Sequence, residues 1–166
     1  MVDNKFNGYK IREITPADNA SVASIVRYNL KQRGLDIPGT AYFDSCLNDL
    51  WAFYSGRDCC GYYVLTDENG AVVGGIGFDK INGIENGAEL QKMYLADSAK
   101  GKGLSYFLIG FIEEKMRENG IKTSYLETHT NLNIAIHVYE KCGYRRIERP
   151  ADVGHSTMDH FFIKDL

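Results

Sequence analysis

Glu89-Leu90-Gln91-Lys92-Met93-Tyr94-Leu95, a polar connector, then Lys100-Gly101-Lys102-Gly103-Leu104-Ser105: residues 89–105 decide the fold. The first seven belong to a β-rich run, so Ala88 to Leu95 reads as a strand. After the glycines, Leu104, Phe107, Leu108, Phe111, Ile112, Lys115 and Met116 recur at steps of three and four, which puts them on one helical face. Asn119-Gly120 closes that helix. Downstream, Ile121 to Thr128 reads as a strand. Leu132 to Cys142 reads as a short helix with Ala135, Val138, Tyr139 and Cys142 inward, ended by Gly143. This strand–helix–strand order brings two strands together in parallel, so the chain is an α/β protein.

Working outward, Tyr9 to Ile14 alternates as a strand. Thr15-Pro16-Ala17-Asp18 is a helix start, with Asp18 able to return a capping-box hydrogen bond. Val22, Ile25, Val26 and Leu30 follow at helical spacing until Gly34. A second helix is expected over Tyr42 to Tyr54, with Leu47, Leu50 and Trp51 on its apolar face. Tyr62 to Leu65 and Ala71 to Phe78 form a hairpin around Asp67-Glu68-Asn69-Gly70. Gly74, Gly75 and Gly77 in the return strand mark a bulge or a close approach of backbone. Tyr144 to Glu148 and Thr157 to Lys164 finish as strands. Simple alternation along Ala88 to Leu95 puts Glu89, Gln91, Met93 and Leu95 on one face and Leu90, Lys92 and Tyr94 on the other.

Composition narrows the function. The 166 residues are 44% hydrophobic and 25% charged, which suits one globular domain spanning 1–166 and rules out disorder or a coiled coil. A net charge of −3 argues against life on a nucleic-acid backbone. No apolar run approaches the roughly 20 residues of a membrane span, and the N-terminus has no signal-peptide core. Cys46, Cys59, Cys60 and Cys142 show no CxxC pair and no Cys/His ligand spacing, so no metal site is expected. Reduced thiols in a cytoplasmic protein are the reading of that pattern.

The loop carries the chemistry. Glycines let backbone approach a ligand closely, and the helix start offers unpaired N–H groups to an anion. Lys100 and Lys102 add positive charge, so a pyrophosphate is the natural guest. A Walker A needs GxxxxGK[ST], which no segment provides. A dinucleotide fingerprint needs a third glycine where Tyr106 stands.

In these residues the chain resembles the GCN5-related N-acetyltransferase (GNAT) family. The family's acetyl-CoA signature is [Q/R]-x-x-G-x-[G/A]. Lys100 to Ser105 matches it with Lys for Gln/Arg and Ser for Gly/Ala. Glu89 to Leu95 is similar to the family's fourth strand, and Ala135 to Tyr144 to its A-x-x-x-Y-E-K-x-G-[F/Y] segment. The order of the N-terminal elements agrees as well. The resemblance implies a three-layer α/β domain with a mixed, mainly antiparallel, twisted sheet flanked by helices. It also implies acetyl-CoA as co-substrate, with its pantetheine arm along Met93, Tyr94 and Leu95. The pyrophosphate would lie on Lys100, Gly101, Lys102, Gly103, Leu104 and Ser105. The family's asparagine place holds Leu132, so its cofactor contact passes to neighbouring Asn131.

In the family, Tyr139 would protonate the departing thiolate. A base is needed too, because freeing a primary amine of pKa about 10.4 at pH 7 costs roughly 4–5 kcal/mol. Glu89 and Glu127 stand at the two places where family members carry that base. Gly154-His155 would lie near the substrate mouth, and Tyr28, Tyr42, Phe43 and Tyr62 come from the half that shapes the acceptor pocket. His129 and His137 lack partners at ligand spacing. The expected activity is transfer of an acetyl group to a small-molecule or peptide amine by a monomer or homodimer. Nucleic acid and membrane are not expected partners, and a non-catalytic acyl-CoA-binding sensor is the alternative.

Overall fold

The computed structural model describes residues 3–151 and 157–166; Gly154 and His155 therefore lie outside the described residues. Twelve main elements follow one another: β1 (Lys5–Phe6), β2 (Tyr9–Glu13), α1 (Asn19–Gln32), α2 (Leu50–Tyr54), β3 (Cys60–Thr66), β4 (Val72–Lys80), β5 (Gly87–Leu95), α3 (Leu104–Glu118), β6 (Thr123–Thr128), α4 (Asn133–Lys141), β7 (Arg145–Ile147) and β8 (His160–Asp165). Among the described residues they build one sheet in the order β1-β2-β3-β4-β5-β6-β8-β7. Every neighbouring pair is antiparallel except β5 and β6.

Each face of the sheet buries its own helices. Val22, Val26 and Leu30 of α1 and Leu50 of α2 pack on Tyr62 and Val64 of β3. On the opposite face Leu104, Leu108 and Ile112 of α3, joined by Tyr139 of α4, pack on Ile76, Phe78 and Leu90. Each fully buried aliphatic side chain contributes roughly 1.5–3 kcal/mol, so these two seams hold the three layers together. Glu113 lies on the buried side of α3 but is matched by Lys164 of β8, whose Nζ donates to both carboxylate oxygens at 2.7 and 2.8 Å.

The expected second helix does not run unbroken. Ala41–Phe43 and Leu47–Asp49 are short 3-10 turns, and only Leu50–Tyr54 is α-helical. Two aspartates explain the break. Asp44 leaves helical geometry and pairs with Lys92 at 2.9 Å. The Asp49 carboxylate caps α2 by accepting from the Ala52 N–H at 3.2 Å and from the Asn19 amide at 2.8 Å. Short polar side chains that bond nearby backbone compete with a continuing helix. Leu47 and Leu50 are buried as expected, whereas Trp51 is 40% exposed.

The glycines of β4 are explained by close approach. A Cβ on Gly75 would meet the Tyr62 ring at 2.7 Å, and one on Gly77 would meet it at 2.6 Å. The ring of Tyr62 therefore lies flat across these two residues.

The start of α1 carries an electrostatic lock. Asp18, 5% exposed, accepts from the Thr15 N–H at 2.7 Å and from both terminal nitrogens of Arg12 at 2.7 and 2.9 Å. The Arg12 hydrogen bonds lead the causes that hold its pKa at about 2, against desolvation pulling the other way. A lowered native pKa means stability that is present above the unfolded value of 3.8 and lost as pH falls towards 2. Asp18→Asn is therefore expected to lower unfolding stability by about 1.5–3 kcal/mol at pH 7. In urea titrations the gap between the two proteins should shrink between pH 4 and pH 2; a gap that holds at low pH would remove the lock.

Candidate active site

The parallel pairing of β5 and β6 lasts three residues. Gly87 faces Thr123, Ala88 faces Ser124 and Glu89 faces Tyr125, after which both strands run on without a shared ladder. A gap opens from the Glu89–Tyr125 step towards Leu95. Past Leu95 the chain makes a 3-10 turn at Asp97–Ala99 and enters α3 through Lys100 to Gly103. The gap thus ends at the N-terminus of a 15-residue helix.

Within β5 a bulge overturns the simple alternation. Gly75 pairs with Tyr94 but Gly77 pairs with Gln91, so β5 holds one residue more than β4 across this stretch. Lys92 absorbs it with a φ of +47°, and its carbonyl accepts the Tyr62 hydroxyl at 2.9 Å. Beyond Lys92 the faces swap. Leu90, Met93 and Leu95 share the face of α3 and α4, whereas Gln91 and Tyr94 turn towards α1 and α2. Nothing in a run of Gln-Lys-Met announces this, because the cause is a tertiary hydrogen bond and a ring lying over glycines.

The loop suits an anion. Gly103 caps α3 at φ +75° and offers no side chain to the helix's first N–H groups. A Cβ at Gly101 or Gly103 would meet nothing within 4 Å, so the space above these amides is open. Leu104 is buried beneath, and Ser105 is half-buried at the second helical position. Both lysines already have partners. Lys100 pairs with Asp97 at 2.6 Å, and Lys102 donates to the Tyr9 hydroxyl at 2.8 Å. The backbone amides and helix dipole are therefore the directed attraction, with the lysines adding a more diffuse positive field.

Helix α1 reaches both lips of the gap. The Asn29 amide donates to the Leu95 carbonyl at 2.9 Å, and the exposed Tyr28 hydroxyl donates to Asp97 at 2.6 Å. On the other lip the Asn131 amide donates to the Arg33 carbonyl at 2.9 Å, so its donor is committed to the end of α1. His129 is packed into the same turn, its Nδ1 accepting from the Asn131 N–H at 3.0 Å; His137 is exposed.

Tyr139 approaches from the face of α3 and α4. It is 6% exposed, with its ring against Tyr144 and Phe162. Burial above all pushes its phenol well above the ordinary value, so it stays protonated at neutral pH. Among the described residues its hydroxyl has no hydrogen-bond partner, yet no buried side-chain oxygen is left unsatisfied. That oxygen therefore still touches open space.

Glu89 and Glu127 sit on the opposite face. Both line a cavity of about 120 Å³, with Asp44, Lys92, Tyr94 and Thr40 around them. Glu89 Oε2 accepts from Gln91, and Glu127 Oε1 accepts from the Tyr125 hydroxyl at 3.1 Å. The Lys92–Asp44 ion pair is a part of this wall that sequence reading missed. Its partners are 48 positions apart, and no local spacing links them. Tyr42 flanks the region and is half-buried, Phe43 is exposed, and Tyr62 is in the core.

Known proteins share the sequence pattern and the fold that build this gap. The model of the Acetyltransferase (GNAT) family matches residues 29–144. The uncharacterized N-acetyltransferase YjgM of Escherichia coli (strain K12) is 37% identical over 159 residues, covering 94% of each chain. A GNAT-family acetyltransferase from Staphylococcus aureus Mu50 superposes with a TM-score of 0.82 at 18% identity, over 95% of this chain and 98% of its own. The PaiA N-acetyltransferase of Thermoplasma acidophilum, solved in complex with coenzyme A, superposes with a TM-score of 0.74 at 19% identity, over 95% and 99%. The two structures speak for the fold; the family model and the E. coli relative go further, and by them the chain belongs to the GNAT acetyltransferase family and is an acyl-CoA-dependent acyltransferase.

Proposed function

We propose that residues 1–166 form one N-acetyltransferase domain that moves an acetyl group from acetyl-CoA to a small-molecule or peptide amine by direct attack on the thioester. The observation that supports this best is the early end of the β5–β6 ladder, with open helix amides at one end of the gap and two glutamates at the other. Backbone of Met93, Tyr94 and Leu95, left without a β6 partner, would take the pantetheine arm as an added strand. Amides from Gly101 to Ser105, with Lys100 and Lys102 beside them, would hold the pyrophosphate. Asn131 would close the β6 side of the cradle. The coenzyme A complex of the Thermoplasma relative supports this cofactor class.

The residues then divide the work by face. Glu89, with Glu127 beside it, takes the proton that the attacking nitrogen loses, directly or through water. The C–N bond forms as the C–S bond breaks. Tyr139 gives its hydroxyl proton to the departing sulfur and regains one from solvent. Burial raises the phenol, but the same dry surroundings strengthen the thiolate's hold on a proton, so the transfer remains feasible. No covalent enzyme adduct is needed.

The deciding experiment offers acetyl-CoA with spermidine, putrescine, free amino acids and short peptides, and follows release of free thiol. Amine-dependent release supports an enzyme; tight binding without release would leave an acyl-CoA sensor.

Three outcomes are expected. Acetyl-CoA at 100 times its Kd should add about 2.7 kcal/mol of stability, read as a rise in Tm. Gly103→Ala, whose methyl enters the open space at a cost of about 1–2 kcal/mol for its positive φ, should blunt that rise. Unchanged acetyl-CoA affinity in the folded variant would remove the loop from the site. Next, Tyr139→Phe should lower kcat by about 10- to 100-fold with little effect on the KM of acetyl-CoA, because its proton is needed only as the thiolate leaves. An unaltered kcat in single-turnover measurements would return the residue to the core. Finally, Glu89→Gln should lower kcat/KM by about 100-fold, Glu127→Gln by less, and the double variant more than either. Wild-type kcat/KM in both single variants from pH 6 to pH 9 would mean that neither carboxylate is the base.

A further inference from the structure

Gln91 is a polar residue of β5 turned into the layer beneath α2, where a purely structural strand would place an apolar side chain. Its amide is held at both ends. The Tyr54 hydroxyl donates to Oε1 at 2.5 Å, and Nε2 donates to Glu89 Oε2 at 2.9 Å. The direction of this chain is forced. Tyr54 is buried, and desolvation keeps its phenol protonated, so it arrives as a donor and claims the amide oxygen. A carboxylate can only accept, so it claims the amide nitrogen. Flipping the amide would turn its oxygen onto the Glu89 carboxylate.

The surroundings leave Gln91 little alternative. Asp79, opposite Glu89 across the β4–β5 ladder, accepts through both carboxylate oxygens from one terminal nitrogen of Arg57 at 2.9 and 2.8 Å, so its charge is matched there. One residue further on, Tyr62 pins the Lys92 carbonyl and with it the bulge. Two tyrosines from neighbouring elements therefore fix consecutive residues of β5. Tyr62 fixes the backbone, and Tyr54 fixes the side chain that reaches Glu89.

We propose that Gln91 is a positioning residue for Glu89, itself oriented by Tyr54, so that Tyr54, Gln91 and Glu89 act as one unit in amine activation. This rests on the reading of Glu89 as the base. A base works only within hydrogen-bond reach of the proton it takes, and a long glutamate in a strand has rotamers that point elsewhere. The chain removes those rotamers before the acceptor arrives.

The test uses the amine with the highest kcat/KM in the panel and two variants. Gln91→Met keeps the length of the side chain but removes both hydrogen bonds. Tyr54→Phe keeps the ring but removes the donor, and serves alone if Gln91→Met does not fold. Each should lower kcat about 10-fold, leaving the KM of acetyl-CoA and the acetyl-CoA-induced rise in Tm unchanged. In a Glu89→Gln background neither should lower kcat further, because the group being positioned is gone. Losses that multiply with Glu89→Gln, or that fall on the KM of the amine instead of kcat, would make Gln91 an acceptor contact or a packing residue and overturn the proposal. Wild-type turnover by Glu89→Gln alone would instead overturn the base reading beneath it.

Discussion

Everything in this molecule depends on a parallel strand pair that parts after three residues. Parallel neighbours normally continue until one strand ends, since each lost pairing leaves backbone groups without partners. Here β5 carries six more residues beyond the last shared step. The bulge at Lys92 supplies a physical reason. An extra residue on one strand bends it and sharpens its twist, so β5 curves away from β6 after Glu89. The positive φ at a lysine is unfavourable and must be held from outside. Tyr62 does this through the Lys92 carbonyl, and it can lie close enough because Gly75 and Gly77 carry no side chains.

That chain of causes separates what the sequence reveals from what it conceals. The strand–loop–helix core was legible because it repeats a period: the apolar residues of α3 fall on one face, and the glycines stand at its start. Even the cap at Asp18 was legible, being local. The bulge was not, since it joins Tyr62 to Lys92 across 30 positions and leaves no mark at residue 92. The same holds for the break before α2. Asp44 is an ordinary helix-tolerated residue until Lys92, brought close by the fold, offers it an ion pair. β1, only two residues long, is too short for any periodicity. Among the proposed site residues, Glu89 and Tyr139 could be picked by their places in motifs. Gln91 could not, since its partners are known only once α2 lies over β5.

The swap of faces at Lys92 has a chemical consequence. With strict alternation, Glu89 and Met93 would share a side, and the proposed base would crowd the strand residues on which the pantetheine arm is proposed to lie. The bulge sends Met93 and Leu95 into the α3 layer while Glu89 and Gln91 remain on the α1–α2 side. Acceptor and cofactor can then approach the gap from different layers. One extra residue in the ladder thus puts the proposed base and the proposed pantetheine strand on different faces.

A gap without a ladder across it needs another means of holding its width, and α1 provides one. Its C-terminal half is bonded to the Leu95 carbonyl through Asn29, to Asp97 through Tyr28 and to Asn131 through the Arg33 carbonyl. These contacts fall on both lips, and α1 itself is anchored by Val22, Val26 and Leu30 in the core. A helix bonded to both strands beyond their three shared steps bridges the gap where the ladder is missing. Tyr139 reaches the gap from the α4 side and Glu89 from the α2 side, packed in separate layers that meet only through the sheet. Their separation is therefore set by the sheet between the two layers, which keeps the proposed proton donor and the proposed proton acceptor on opposite sides of the gap.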